Sequence, residues 1–250
     1  MKQGRLAIRV AGLSASLAGA LALHGAWRSG RRASPWPRRF LARVARIAGA
    51  RARIVGQPLT RDVMFVANHQ SWLDIPLLAG ATGTSFVAKA ELARTPLVGW
   101  LCGLNRTLFI ERADRLGIAD QVQAIRDALA RGQPLAIFPE GTTGDGRALL
   151  PFKPALFAAL DPAPPGIRVQ PVRIDYGPAM ADLAWPDGEH GQTNAARVLR
   201  RPGRFTATLT FCPPFDPADH PGRKAIAAAA RRRIADAAPR DCDTPQPRSC

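Results

Sequence analysis

The sequence predicts an α/β domain: a mostly parallel central sheet flanked by helices, preceded by an N-terminal membrane-associating helical pair. Three observations carry that expectation. Short runs rich in β-branched and aromatic residues recur at 63–68 (VMFVAN), 84–89 (TSFVAK), 107–112 (TLFIER), 135–140 (LAIFPE), 168–174 (RVQPVRI) and 204–211 (RFTATLTF). Helical patterns alternate with these runs, and strands that alternate with helices pair in parallel with the helices packed against the sheet. Upstream of them, an uncharged run leads into an arginine-rich amphipathic segment.

The chain begins with the uncharged run. From Val10 to Trp27 no residue carries a formal charge, although Ser14, Ser16 and His24 interrupt the apolar character. About twenty apolar residues span a bilayer core, so a short transmembrane helix and a buried or interfacial helix both remain open. A signal peptide is a third reading, with Lys2, Arg5 and Arg9 as its basic region and Ala-Leu-Ala ending at Ala22. The densely basic sequence that follows favours retention on the cytoplasmic side.

Pro37 to Val55 predicts an amphipathic helix. Phe40, Val44 and Ile47 recur at i, i+4, i+7, and Arg39, Arg43 and Arg46 repeat that spacing one position away, with Trp27 and Trp36 just upstream. Such a helix can lie in the headgroup layer, where each basic residue gains roughly 1 kcal/mol from anionic lipid. A solvated helix packed on its own domain is the alternative. The expected division is therefore 1–58 for membrane association, 59–238 for the α/β domain and 239–250 for a disordered, Pro-containing tail.

Charge supports that division. Of 35 Lys and Arg in the 250 residues, 13 precede Asp62, the first carboxylate; the rest of the chain holds 22 basic and 19 acidic residues. Nucleic acid would also suit the basic segment. However, no RNP, zinc-finger or aromatic stacking pattern accompanies it, and the chain has a single Tyr. The expected partner is an anionic membrane surface, not nucleic acid. The four cysteines (Cys102, Cys212, Cys242, Cys250) form no CxxC pair or Cys/His cluster, so neither a metal site nor a disulfide framework is expected.

Within the body, Ile118, Val122, Ile125 and Leu129 line one face of a helix between the third and fourth runs. Gly132 and Pro134 then stop it. The link from 176 to 203 reads as surface loop with one short helix.

Polar residues close each of the first four runs. After the first comes N-H-Q-S-W-L-D, with His69 and Asp74 five apart. On one continuous helix that step rotates by about 140°, so the two would diverge. With His69 capping the strand and Asp74 in the first turn of the next helix, they meet. A carboxylate on one imidazole nitrogen then leaves the other as a general base. The second run ends in K-A-E-L from Lys89, the third in F-I-E-R at Arg112, and the fourth in F-P-E-G-T with Glu140, Gly141 and Thr142. Ligands bind at the carboxyl ends of parallel strands. Cations and turn N–H groups there suit a phosphate, and a base beside them suits attack by a hydroxyl. No G-x-S-x-G elbow occurs, which argues against a serine hydrolase. A basic membrane-binding module without activity is the competing class, and the presence of His69, Asp74, Glu140 and Gly141 argues against it.

These blocks resemble the 1-acylglycerol-3-phosphate (lysophosphatidate) acyltransferases among the glycerolipid acyltransferases. N-H-Q-S-W-L-D is similar to that family's HX4D block. A-K-A-E-L-A-R-T-P-L-V-G-W (88–100), G-L-N-R-T-L-F-I-E-R (103–112), F-P-E-G-T and V-Q-P-V (169–172) follow in the family's order. The resemblance covers about 62 to 175. It implies His69 as the base that takes the acceptor's hydroxyl proton and Asp74 as its orienting partner. Lys89 and Arg112 would hold a phosphate, Glu140, Gly141 and Thr142 would shape the acceptor pocket, and Pro171 would position the acyl chain or wall. It further implies an acyl-CoA or acyl carrier protein donor, a lysophospholipid acceptor, no cofactor, no metal, and a site facing the cytoplasm at the cytoplasmic membrane. The third block runs on into T-G-D-G (143–146) where many members carry an Arg/Ser-rich stretch. The expected reaction is therefore acyl transfer to the free hydroxyl of 1-acylglycerol-3-phosphate, giving phosphatidate; related bacterial proteins use the same blocks on a lyso-aminolipid such as lyso-ornithine lipid, which is the alternative acceptor.

Overall fold

The computed structural model describes residues 2–27, 34–111, 117–186 and 188–238. Its strands are β1 (Ala50–Val55), β2 (Val63–Ala67), β3 (Ser85–Lys89), β4 (Leu108–Ile110), β5 (Leu135–Ile137), β6 (Arg168–Asp175) and β7 (Phe205–Phe211). They form one sheet in the order β1-β7-β6-β2-β5-β3-β4. Every neighbouring pair is parallel except β6 and β7. The helices are α1 (Lys2–Trp27), α2 (Trp36–Ile47), α3 (Asp74–Thr82), α4 (Pro96–Leu104), α5 (Ile118–Ala130), α6 (Met180–Leu183), α7 (Gly191–Arg200) and α8 (Gly222–Asp236).

β2 shows why the apolar runs are continuous rather than alternating. All of Val63 to Ala67 is buried, with helices on both faces of the sheet. Val63, Phe65 and Ala67 join the core with Leu77 and Leu78 of α3 and Ala45 of α2. Met64 and Val66 join the opposite core, with Ile125 and Leu129 of α5, Phe157 of the turn at 154–160, and Ile226 and Ile234 of α8.

Each predicted strand is present, and β1 is an addition. The sequence reading carried the basic helix on to Val55, but α2 stops at Ile47 and Gly49 takes φ +106°, a conformation that ends helices. From Ala50 the chain is extended and pairs in parallel with β7. The sheet thus begins inside the segment assigned to the N-terminal unit. β1 is the outer strand, and its exposed Arg51 and Arg53 oppose pairing with another chain's edge.

The N-terminal helices lean on the body. Arg9 of α1 reaches the end of α7: Nη1 donates to Val198 O at 3.3 Å and to Leu199 O at 3.2 Å, and Nη2 donates to Gly203 O at 3.3 Å. α1 is long and apolar enough, by length and composition, to cross a membrane. α2 packs tightly on α3, where a Cβ on Gly80 would lie 2.7 Å from Ala42 Cα. At that same end Arg38 donates to Gly80 O at 3.2 Å and to Ala81 O at 2.6 Å.

The link from 176 to 203, read as loop with one short helix, holds both α6 and α7. Leu183, Asn194, Val198 and Leu199 are buried there. Glu189 ties the segment together. Its carboxylate accepts from Arg197 Nε at 3.1 Å, Arg197 Nη2 at 2.8 Å and Asn194 Nδ2 at 2.7 Å. Cys102 and Cys212 are free thiols. Cys242, Cys250 and the expected tail at 239–250 lie outside the described residues.

Candidate active site

β2 ends at Ala67 and α3 starts at Asp74, and residues 68–73 fold back between them. That turn brings His69 Nδ1 to 2.8 Å from Asp74 Oδ2. Asp74 is fully buried, while the His69 side chain keeps 16% of its exposure. The same Oδ2 accepts the N–H groups of Gln70 at 2.7 Å and Ser71 at 2.9 Å. Oδ1 accepts from the Tyr176 hydroxyl at 2.6 Å. The surrounding groups all donate to Asp74, so the imidazole hydrogen belongs on Nδ1 and the Nε2 lone pair is left to accept a proton. The ring plane is set by stacking on Phe138, with centroids 4.1 Å apart at 18°, and Phe138 in turn stacks on Phe86.

Glu140 closes the other side. Its Oε1 accepts from His69 N at 2.8 Å and its Oε2 from Leu150 N at 3.0 Å, joining the end of β2 to the loop after β5. Burial pushes its carboxyl above the ordinary range, against the opposing pull of those two N–H bonds. Burial also pushes the Tyr176 hydroxyl well up, with the Asp74 charge adding to it. Between these elements lies a cleft of about 320 Å³, lined among others by Asn68, His69, Gln70, Glu140, Gly144, Arg147 and Arg173.

The sequence-predicted residues divide at this cleft. His69, Asp74 and Glu140 come together. Gly141 follows Glu140 at φ +75°, a conformation that favours glycine, with the Lys153 side chain beside it. Thr142 is on the neighbouring loop and donates to Thr143 O at 3.4 Å. Pro171 is buried within β6 opposite Val66, and is not among the cleft-lining residues. Its carbonyl accepts from Cys212 N at 2.9 Å, and Gln170 Nε2 donates to Cys212 O at 3.1 Å. Lys89 is exposed at the carboxyl end of β3. Counting from the aligned residues Met64, Leu135 and Ser85, His69 and Glu140 each lie five residues on and Lys89 four, so all reach one edge of the sheet. Arg112 lies outside the described residues. Among the described residues no group of three or more His, Cys, Asp or Glu is arranged to hold a metal ion.

Sequence reasoning passed over Tyr176, Asn68 and Arg173. Asn68 Nδ2 donates to Ile174 O at 2.9 Å and its Oδ1 accepts from Ile174 N at 2.7 Å, which clamps β2 to β6 beside the site. The available signal was position: the chain's only tyrosine follows directly on V-Q-P-V-R-I-D.

A family model described as Acyltransferase matches residues 51–175. A lyso-ornithine lipid O-acyltransferase of Rhodobacter capsulatus is 36% identical, over 93% of this chain and 89% of that protein. One from Brucella abortus is 35% identical over 80% of this chain and 81% of that protein. A 1-acyl-sn-glycerol-3-phosphate acyltransferase of Neisseria gonorrhoeae is 36% identical over 53% of this chain and 56% of that protein. The crystal structure of the 1-acyl-sn-glycerophosphate acyltransferase PlsC from Thermotoga maritima matches with a TM-score of 0.68 at 23% identity, over 94% of this chain and 96% of that one, a likeness of fold. The family match takes in both the His69–Asp74 pair and the Glu140 turn, and with full-length relatives beside it the chain belongs to the acyltransferase family.

Proposed function

We propose that this chain transfers a fatty acyl group from a thioester, acyl-CoA or acyl carrier protein, to the free hydroxyl of a lyso-ornithine-type lipid. The observation that carries the chemistry is the hydrogen bond from His69 to a buried, fully partnered Asp74, at the wall of an open cleft. His69 Nε2 takes the hydroxyl proton as the acceptor oxygen attacks the thioester carbonyl carbon. The tetrahedral adduct collapses, the C–S bond breaks, and the departing thiolate takes the proton back from the imidazolium. An ester and a free thiol result, with no covalent acyl-enzyme and no cofactor. Asp74 holds the ring in the correct tautomer and offsets the charge on the imidazolium.

The choice of acceptor is supported by the relatives. The Rhodobacter and Brucella relatives named for lyso-ornithine lipid match 93% and 80% of the chain, and the Neisseria lysophosphatidate enzyme 53%. The cleft adds a second support. The loop where many related proteins carry an Arg/Ser-rich stretch has Asp145 here, whose carboxylate accepts from Arg147 N at 2.9 Å. Both signs of charge at the mouth suit a headgroup that carries a carboxylate and an ammonium better than they suit a phosphate dianion. Lys89 and Arg112 then have no acceptor phosphate to bind. α1 and the basic α2 would hold the chain at the anionic cytoplasmic face of the membrane.

Purified protein in detergent, given labelled acyl-CoA or acyl carrier protein with lyso-ornithine lipid and lysophosphatidate as competing acceptors, tests the reading. The expected product is ornithine lipid, lost in His69→Ala. Phosphatidate alone would reassign the acceptor while keeping the mechanism. Full activity in His69→Ala would remove the mechanism itself.

A further inference from the structure

We infer that Arg173 reads the acceptor's headgroup, its guanidinium taking the lipid's carboxylate while His69 takes the hydroxyl proton. The assignment rests on the acceptor reading above. It begins at the clamp between Asn68 and Ile174. His69 follows Asn68 in the turn after β2 and Arg173 precedes Ile174 on β6, so both residues flank the clamp at the carboxyl edge of the sheet. Both line the one cleft. Val172 and Ile174 point into the core under α2 and α3, and strand alternation sends Arg173 to the other face. There its Nη1 donates to Ile234 O, in the last turn of α8, at 3.3 Å.

That cap leaves the guanidinium unsatisfied. Nε of Arg173 is buried and has no hydrogen-bond partner. Among the described residues no carboxylate lies within ion-pair distance of Arg173. Glu140, the acid in the cleft, has both oxygens engaged by the N–H groups of His69 and Leu150. A buried donor on a charged group is costly to leave unmatched. A planar two-oxygen anion is the partner that a guanidinium fork meets best. Arg147 also lines the cleft, but it is exposed and its Nε lies 3.7 Å from Asp145. Of the two arginines, Arg173 is the one with no ion pair and with a buried, unpartnered Nε on a half-buried side chain. In a lyso-ornithine lipid the acceptor hydroxyl and the carboxylate are joined by a short amide-containing spacer. One molecule can therefore engage His69 and Arg173 together.

The test offers paired acceptors, lyso-ornithine lipid and its carboxamide, to wild type and to Arg173→Gln. Wild type should prefer the carboxylate. In the variant the KM for the carboxylate acceptor should rise about tenfold to a hundredfold, with the carboxamide within about twofold and the KM for acyl donor unchanged. Arg173→Lys, which keeps the charge but not the fork, should recover part of the preference. It also stands in should Arg173→Gln fail to fold. Equal losses on both acceptors, or an undiminished preference in either variant, would overturn the role of Arg173 and leave the acceptor reading intact. Wild type that acylates no lyso-ornithine lipid would overturn both.

Discussion

The Tyr176 hydroxyl meets Asp74 on the carboxylate oxygen that His69 does not use, at 2.6 Å and out of reach of solvent. The two contacts pull on opposite ends of one buried group, so the angle at which Asp74 presents itself to His69 is held from behind. Removing the hydroxyl leaves Oδ1 buried without a donor, which costs about 1–3 kcal/mol. Tyr176→Phe should therefore lower urea stability by that amount. Its kcat should fall roughly tenfold with little change in either KM, as expected for a group that acts through another. A variant as stable and as active as wild type would mean the contact is idle.

Asp74→Asn should keep the fold and the imidazole tautomer. Three N–H groups converge on the Oδ2 position, so an amide oxygen must settle there. The amide nitrogen then faces Tyr176, whose hydroxyl can turn to accept. What disappears is the negative charge that balances an imidazolium. The expected loss in kcat is about a hundredfold to ten-thousandfold, read in steady-state assays beside an unaltered melting profile. A loss under threefold would show that the charge takes no part.

Glu189 gives stability a component that depends on pH. Its hydrogen bonds from Arg197 and Asn194 hold its carboxyl below the ordinary range, Arg197 being the larger influence. In the folded chain it is ionised at pH values where the unfolded chain has already protonated it. Its contribution is thus present above the ordinary carboxylate pKa and is lost as pH falls through the folded value. Denaturant titrations across the acid range should show a steeper decline for wild type than for Glu189→Gln. Identical slopes would remove the effect.

Gly80→Ala would ordinarily favour a helix by up to about 1 kcal/mol. Here the added methyl meets the backbone of Ala42, with Cα at 2.7 Å and N at 2.9 Å. Neither atom can move without shifting α2. The net effect should be a loss of about 1–3 kcal/mol, measured by chemical denaturation.

Legibility in the sequence followed the distance over which a contact closes. The His69–Asp74 pair could be anticipated because one short block supplies both partners and the turn between them. The Glu140 turn was visible for the same reason. Tyr176 was not, since its bond to Asp74 depends on β6 lying beside β2, and nothing in the order of the apolar runs states which strands become neighbours. Arg173 was hidden by the same ignorance of sheet order. β1 was missed because the helical rhythm of Arg39, Arg43 and Arg46 was carried on to Val55. The interruption is a backbone event at Gly49, and side-chain spacing carries no trace of it.

α3 has Asp74 as its first residue, and near its other end Gly80 lies flush against α2. A helix of nine residues thus joins the packing of α2 to the carboxylate that meets His69. A shift of α2 would be delivered through α3 to the carboxylate that holds the His69 ring. Trimming away residues 1–55 would take the outer strand β1 and the counter-support of α3 together. On the proposed function, seating α2 on a membrane would set the alignment of His69 through α3.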